Sequence, residues 1–200
     1  MAPAVVLKLG GGLITEKARL TTVQSDRLER LATEIANAAQ QGVHVLVVHG
    51  AGSFGHLRAK AWGLADGRSN VQADDGCSNQ DEAVERVRAD MMALAEHVTG
   101  ALHCAGLVTS KHPPHRWAVG TGTDFLGDVS PLQPSTIIPV TWGDVVPVDG
   151  PAEFGILSGD DLVHRCAVEL PNILRVVFAM GGADGVLRKP PHEAVREDLI

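Results

Sequence analysis

The stretch Val43–His56, VHVLVVHGAGSFGH, limits what this chain can fold into more than any other. Its first seven residues are dominated by valine and leucine, the composition of a strand buried inside a parallel sheet. The chain then turns through Gly50, Gly52 and Gly55, with only Ala51, Ser53 and Phe54 between them. Glycine lacks a Cβ and tolerates positive φ, so backbone N–H groups there can close on an anion. His56 closes the turn where a helix is expected to begin. The whole reads as a phosphate-binding turn with a titratable side chain at its rim.

The literal pattern G-x-G-x-x-G does not by itself identify a ligand. A dinucleotide site needs a helix, a strand and then an acidic residue about 20 positions on to hold the ribose. Arg58–Ser69 is instead short, polar and broken by glycine, and Asp66, Asp74 and Asp75 do not end an apolar run. That context disfavours a nicotinamide nucleotide. The bland alternative is a tight strand-to-helix turn with no ligand, and a second glycine turn near the N-terminus argues against it. Ala4–Leu9, AVVLKL, is a short apolar strand interrupted by Lys8 and followed by Gly10, Gly11 and Gly12. A lysine near the end of a buried strand is costly unless its ammonium meets an anion or snorkels to solvent. Lys17 follows on the same loop, without the preceding glycine of a Walker A motif.

Two hundred residues suit one domain with a sizeable core. A net charge of −7 argues against a nucleic-acid footprint. No apolar run reaches the roughly 18 residues of a membrane span, and no basic, apolar leader opens the chain. Cys77, Cys104 and Cys166 are odd in number and scattered, as expected of reduced thiols in a cytoplasmic protein. His103, His112 and His115 lack the spacing of a zinc site and read as loop or surface histidines.

Ser25–Gln41 carries Leu28, Leu31, Ile35 and Ala39 at helical spacing, with Ser25 as cap and Gly42 as stop. It reads as the crossover between the first strand and Val43–His49, the βαβ sign of a parallel sheet. Ala65–Ser78 reads as a loop, and Asn79 with Glu82 can cap the next helix. That helix has an apolar stripe through Ala83, Val84, Val87, Met91, Leu94 and Val98, with Gly100 expected to break it. The stripe suits core packing, and Met91 and Met92 would also suit a pliable wall for a small apolar ligand. Leu107–Ser110 reads as a strand and Lys111–Pro134 as irregular. Thr136–Val140 and Asp144–Val148 read as strands around Trp142 and Gly143, an antiparallel excursion. In Ile156–Asp161, Ser158 caps a helix through Leu170. Asp160 and Asp161 would suit its dipole, or fix catalytic lysines or a magnesium ion. Ile173–Ala179 is the last apolar strand.

Lysine, histidine, aspartate and glycine thus collect at strand ends, which in an open parallel sheet line one crevice. Backbone amides for phosphates, cations for developing charge and carboxylates to place them suit phosphoryl transfer, which needs mainly positioning and electrostatics. The expected fold is α/β, an open, mostly parallel sheet with helices on both faces.

Lys8-Leu9-Gly10-Gly11, His49 through His56, Gly143-Asp144-Val145-Val146, Ile156 through Asp161 and Asp184-Gly185-Val186 resemble isopentenyl phosphate kinase, of the amino-acid-kinase superfamily. The resemblance implies a three-layer kinase-like domain over residues 1–200, a homodimer, and ATP and Mg2+ as cofactors. It implies conversion of isopentenyl phosphate to the diphosphate. Lys8 would hold ATP phosphates, Lys17 would stabilise the moving phosphoryl group, and Asp160 would orient the lysines. Gly10, Gly11, Gly12, Gly52 and Asp184 would contact nucleotide, and Ala51, Gly52, Gly55, His56 and Gly159 the acceptor phosphate. Gly12 stands where the family usually has serine, and Gly182 where it has the first aspartate of a Thr-Asp-Val-Asp-Gly run. The family continues for about a further quarter of its length beyond residue 200, so the nucleotide-binding part is expected to be C-terminally short. Two other readings fit the same motifs: a kinase for another small phosphate or phosphonate of the fosfomycin type, and a silent binding protein on the same scaffold.

Overall fold

A computed structural model describes residues 2–16 and 19–181. Strand β1 (Ala4–Leu9) runs into a single helical turn, α1 (Gly11–Ile14), and the crossover helix α2 (Ser25–Gln40) leads to β2 (His44–His49). Helix α3 (Gly52–Ala61) follows the glycine turn, and the long α4 (Gln80–Cys104) precedes β3 (Val108–Lys111). Then come β4 (Ile137–Trp142), β5 (Asp144–Pro147), β6 (Phe154–Leu157), α5 (Gly159–Glu169) and β7 (Ile173–Ala179).

Five strands form one sheet in the order β3-β4-β2-β1-β7, every neighbouring pair parallel. Strand β2 lies at its centre and shows why the valine-rich run was needed. Alternate side chains of a strand face opposite ways, so Val45 and Val47 enter one core while Leu46 and Val48 enter another. Leu28 of α2, Phe54 of α3 and Leu94 of α4 fill the first core, and Leu162, Val163 and Cys166 of α5 fill the second. Helices therefore cover both faces, as the sequence implied.

Four local expectations are corrected. Helix α2 includes Ser25, its N-cap is Gln24, and no side chain caps it. Helix α3 begins at Gly52, so His56 sits in its second turn rather than before it. Gly100 does not break α4, because Val98, Thr99 and Leu102 on either side are buried. A mid-helix glycine costs only about 1 kcal/mol, less than exposing those side chains. The antiparallel pairing joins Asp144–Pro147 to Phe154–Leu157, while Ile137–Trp142 belongs to the main sheet. Strand β7 lies at the sheet edge, with Leu174 68% and Phe178 47% exposed.

The connection between α3 and α4 is tied down by polar groups. Arg58 of α3 is clamped between Asp75 of the loop and Asp90 of α4, and Asp75 also accepts from Trp62 Nε1 at 2.9 Å. Desolvation pushes the Asp75 carboxyl up, but the bonds from Trp62 and Arg58 outweigh it and hold it below the usual carboxylate range. Buried Gln80 donates to Trp62 O at 2.8 Å and accepts from Ser69 N at 2.8 Å.

Strand β2 ends on His49, fully buried and stacked on Trp142 with ring centroids 5.4 Å apart. Its Nδ1 lies 3.3 Å from Gly50 O. A carbonyl can only accept, so Nδ1 carries the proton and Nε2 is left as an unpartnered acceptor. Burial pushes this imidazole down to about 4, against 6.5 in the unfolded chain. At neutral pH both states are neutral and nothing is lost. Between pH 6.5 and about 4 the unfolded chain binds a proton that the folded one refuses, so folding stability falls as pH falls through that window. At about 1.36 kcal/mol per unit, the loss is on the order of 3 kcal/mol. Urea midpoints at pH 7, 5.5 and 4.5 for the wild-type chain and for His49→Gln, which cannot titrate, measure this term as the difference in slope. Parallel curves for the two proteins would refute it.

Candidate active site

The carboxyl ends of β1, β2 and β4 meet at one edge of the sheet, and β6 delivers its own end to the same place through Ser158. Two of these ends are glycine turns that press backbone on backbone. A Cβ on Gly11 would stand 2.2 Å from Gly52 N, and one on Gly52 would stand 2.7 Å from Gly11 O. Gly52 also has φ +51°, where a side chain is strained in any case. Thr15, fully buried, laces the turns together: its hydroxyl donates to Gly11 O at 2.8 Å and accepts from Ser53 N at 3.0 Å. Nothing in the spacing of the sequence marks Thr15 for this role.

Two hollows flank that contact. The larger, about 610 Å³, is bordered by Lys8, Ala51, Gly55, His56, Gly159 and Asp160 on its polar side. The smaller, about 440 Å³, is bordered by Gly11, Gly12, Gly52, Ser53 and His56. Ala51 and His56 border both. Gly10 borders neither; its N–H donates to Ala179 O at 2.8 Å and joins β1 to β7. Lys17 and Asp184 lie outside the described residues.

The two adjacent acids at the start of α5 have separate tasks. Asp161 closes a capping box with Ser158, whose hydroxyl accepts from Asp161 N at 3.1 Å. Asp160, 65% exposed, forms an ion pair with Lys8, whose ammonium also lies 5.7 Å from the Phe178 ring centre. The N-termini of α3 and α5 both open on the larger hollow and add their positive ends to it. His56, exposed on α3, makes no hydrogen bond or ion pair with any described residue.

The other side of the larger hollow is apolar, with Val87 and Met91 from α4, Val145 from β5, Ile156 from β6 and Ala59 from α3. Gly55 lets α3 approach α4 closely, since a Cβ there would be 3.1 Å from Met91 Sδ. Met92, expected beside Met91, packs against the core and does not border the hollow. His115 is not a plain surface histidine. Its Nδ1 donates to the buried Asp144 carboxylate at 2.7 Å, which also accepts from Val145 N at 2.9 Å. Arg88 Nε donates to Val145 O at 2.9 Å, so the wall is braced from behind at consecutive residues. Lys60 and Asp66 border the hollow as well; the sequence reading passed over Lys60 and weighed Asp66 only as a ribose-holding acid. Lys60 stands four residues after His56, a helical spacing that could have marked it. No group of three or more potential metal ligands occurs among the described residues.

Residues 3–197 match the model of the amino acid kinase family. An isopentenyl phosphate kinase of Methanothermobacter thermautotrophicus is 30% identical over 194 residues, a match covering 94% of this chain and 70% of that protein. One of Methanocaldococcus jannaschii is 28% identical, covering 91% of this chain and 70% of that protein. Among solved structures, an isopentenyl phosphate kinase superposes with a TM-score of 0.81 at 27% identity, over 96% of this chain and 76% of its own. A substrate complex of isopentenyl phosphate kinase superposes with a TM-score of 0.74 at 25% identity, over 97% of this chain and 75% of its own. The parallel sheet, the glycine turns and these likenesses agree: the chain belongs to the amino acid kinase family and is a phosphotransferase that acts on a small molecule.

Proposed function

We propose that this chain transfers the γ-phosphoryl group of ATP to isopentenyl phosphate, giving isopentenyl diphosphate and ADP. One observation carries the reading: unpartnered His56 stands where a glycine-built anion cradle meets an apolar hollow walled by Val87, Met91, Val145 and Ile156. An acceptor that is phosphate at one end and a short branched hydrocarbon at the other matches both halves. A compact phosphonate would leave the apolar wall unused.

In this reading His56 and the amides of Ala51, Gly52, Gly55 and Gly159 hold the acceptor phosphate. An oxygen of that phosphate forms the new bond to the γ-phosphorus as the bond to the β-phosphate oxygen breaks. The attacking oxygen already bears charge at neutral pH, so no strong general base is required. The nucleotide phosphates fit the turn of Gly11, Gly12 and Gly52, where a Cβ on Gly11 or Gly52 would collide with backbone. Lys8 holds those phosphates, with Asp160 fixing its direction. Lys17 and Asp184 are proposed for the moving phosphoryl group and the nucleotide. Magnesium is assigned to the nucleotide phosphates, since a protein cage for it is missing among the described residues. A cytoplasmic homodimer completes the proposal.

The purified chain, given isopentenyl phosphate and ATP with magnesium, should form the diphosphate, followed by 31P NMR. His56→Ala should lower kcat/KM for the acceptor by about a hundredfold or more with its melting temperature unchanged. Wild-type kinetics in that variant would remove His56 from the site. Lys8→Ala should raise KM for ATP more than KM for the acceptor, and an unchanged ATP constant would end its assignment. Met91→Trp should narrow the apolar hollow and shift preference toward phosphates with shorter tails. A specificity profile unmoved by that bulk would show that the hollow does not take the tail.

A further inference from the structure

Lys60 borders the larger hollow, and neither the sequence motifs nor the proposed reaction gives it a task. Helix α3 starts at the glycine turn and carries His56 and Lys60 four residues apart, so both stand on the face that meets the hollow. Side chains of a helix lean toward its N-terminus. The Lys60 stem can therefore reach back along α3 toward His56 and the turn.

Among the described residues, the other lysine and the arginines near the hollow are committed elsewhere. Arg58 is held by Asp75 and Asp90, Arg88 bonds Glu85 and Val145 O, and Lys8 pairs with Asp160. Lys60 is exposed and has no carboxylate partner among the described residues. Asp66 borders the same hollow without forming an ion pair with it. A solvated helix face is the ordinary fate of such a lysine, but this one faces an apolar-walled hollow beside an unpartnered histidine.

We propose that Lys60 is an acceptor-binding residue that, with His56, selects a doubly charged phosphate head. This rests on the acceptor reading given above. A phosphate monoester carries a charge of about −1.5 to −2 near neutral pH. Backbone amides and a histidine supply directed donors, whereas the Lys8 charge is already shared with Asp160. Lys60 supplies the remaining full positive charge at the acceptor end. A carboxylate with the same tail has one charge fewer and gains less from it.

Titration calorimetry without nucleotide, with isopentenyl phosphate and with a carboxylate of the same branched tail, separates the possibilities. The wild-type chain should bind the phosphate much more tightly than the carboxylate. Lys60→Met should weaken phosphate binding by about ten- to a hundredfold and carboxylate binding far less, while KM for ATP stays within twofold. Lys60→Arg should restore most of the loss, and the wild-type advantage should shrink as salt rises. Since Lys60 is exposed, an unchanged circular-dichroism melt is expected for both variants. A wild-type chain that fails to bind isopentenyl phosphate overturns the acceptor reading and this proposal with it. A wild-type chain that binds it normally beside a Lys60→Met chain that binds it equally well overturns the role of Lys60 alone.

Discussion

The contact between Gly11 and Gly52 is the constraint on which the site depends. The turns after β1 and β2 approach so closely that a Cβ on Gly11 would lie 2.6 Å from Gly52 Cα. Parallel pairing of β1 with β2, from Ala4 against His44 to Leu9 against His49, brings both turns to the same height. Buried Thr15 then fixes their separation by bonding one turn with its lone pair and the other with its proton. Two strand ends with ordinary side chains would splay apart. Held this close, the two turns border one small hollow with Gly11, Gly12, Gly52 and Ser53 side by side.

The sequence made the frame legible and hid the bracing. Val43–His49 announced a central strand because both its faces had to be apolar, and the cores on either side bear that out. Ser158 announced the start of α5 because a helix cap is a local device, and the structure adds Asp161 to it as the other half of a capping box. Long-range balance decided the misses. Gly100 looked like a helix end, yet buried neighbours carried α4 past it. Strand β5 took its partner from Phe154–Leu157 rather than from the chain just before it, a choice made by tertiary pairing. His115 lies in a loop as read, but nothing nearby in sequence hints at its carboxylate partner 29 residues away.

Charge in the cleft is divided by whether it has already been answered. Lys8 and Asp160 neutralise one another, which keeps a lysine at a strand end without isolating a charge in low dielectric. Such a pair is set in direction before any ligand arrives. His56 and Lys60 have no such partners among the described residues and stay available. A fixed ion pair and unpaired donors thus border the same hollow, so an incoming anion meets one cation already set in direction and others free to turn toward it.

The apolar wall combines a rigid mount with one soft face. Arg88 holds the Val145 carbonyl, Asp144 anchors His115 beneath it, and Arg58 fixes α3 to α4 through Asp90, the residue before Met91. Of these braces only Asp144 borders the hollow, and its apolar side is formed chiefly by Val87, Met91, Val145 and Ile156. Met91 is the only unbranched, flexible chain of those four, and its sulfur would lie 3.1 Å from a Cβ on Gly55, as close as the Ala51 Cβ. Braces of this kind hold the backbone of the wall in place, so variation in hollow width falls to the rotamers of one methionine.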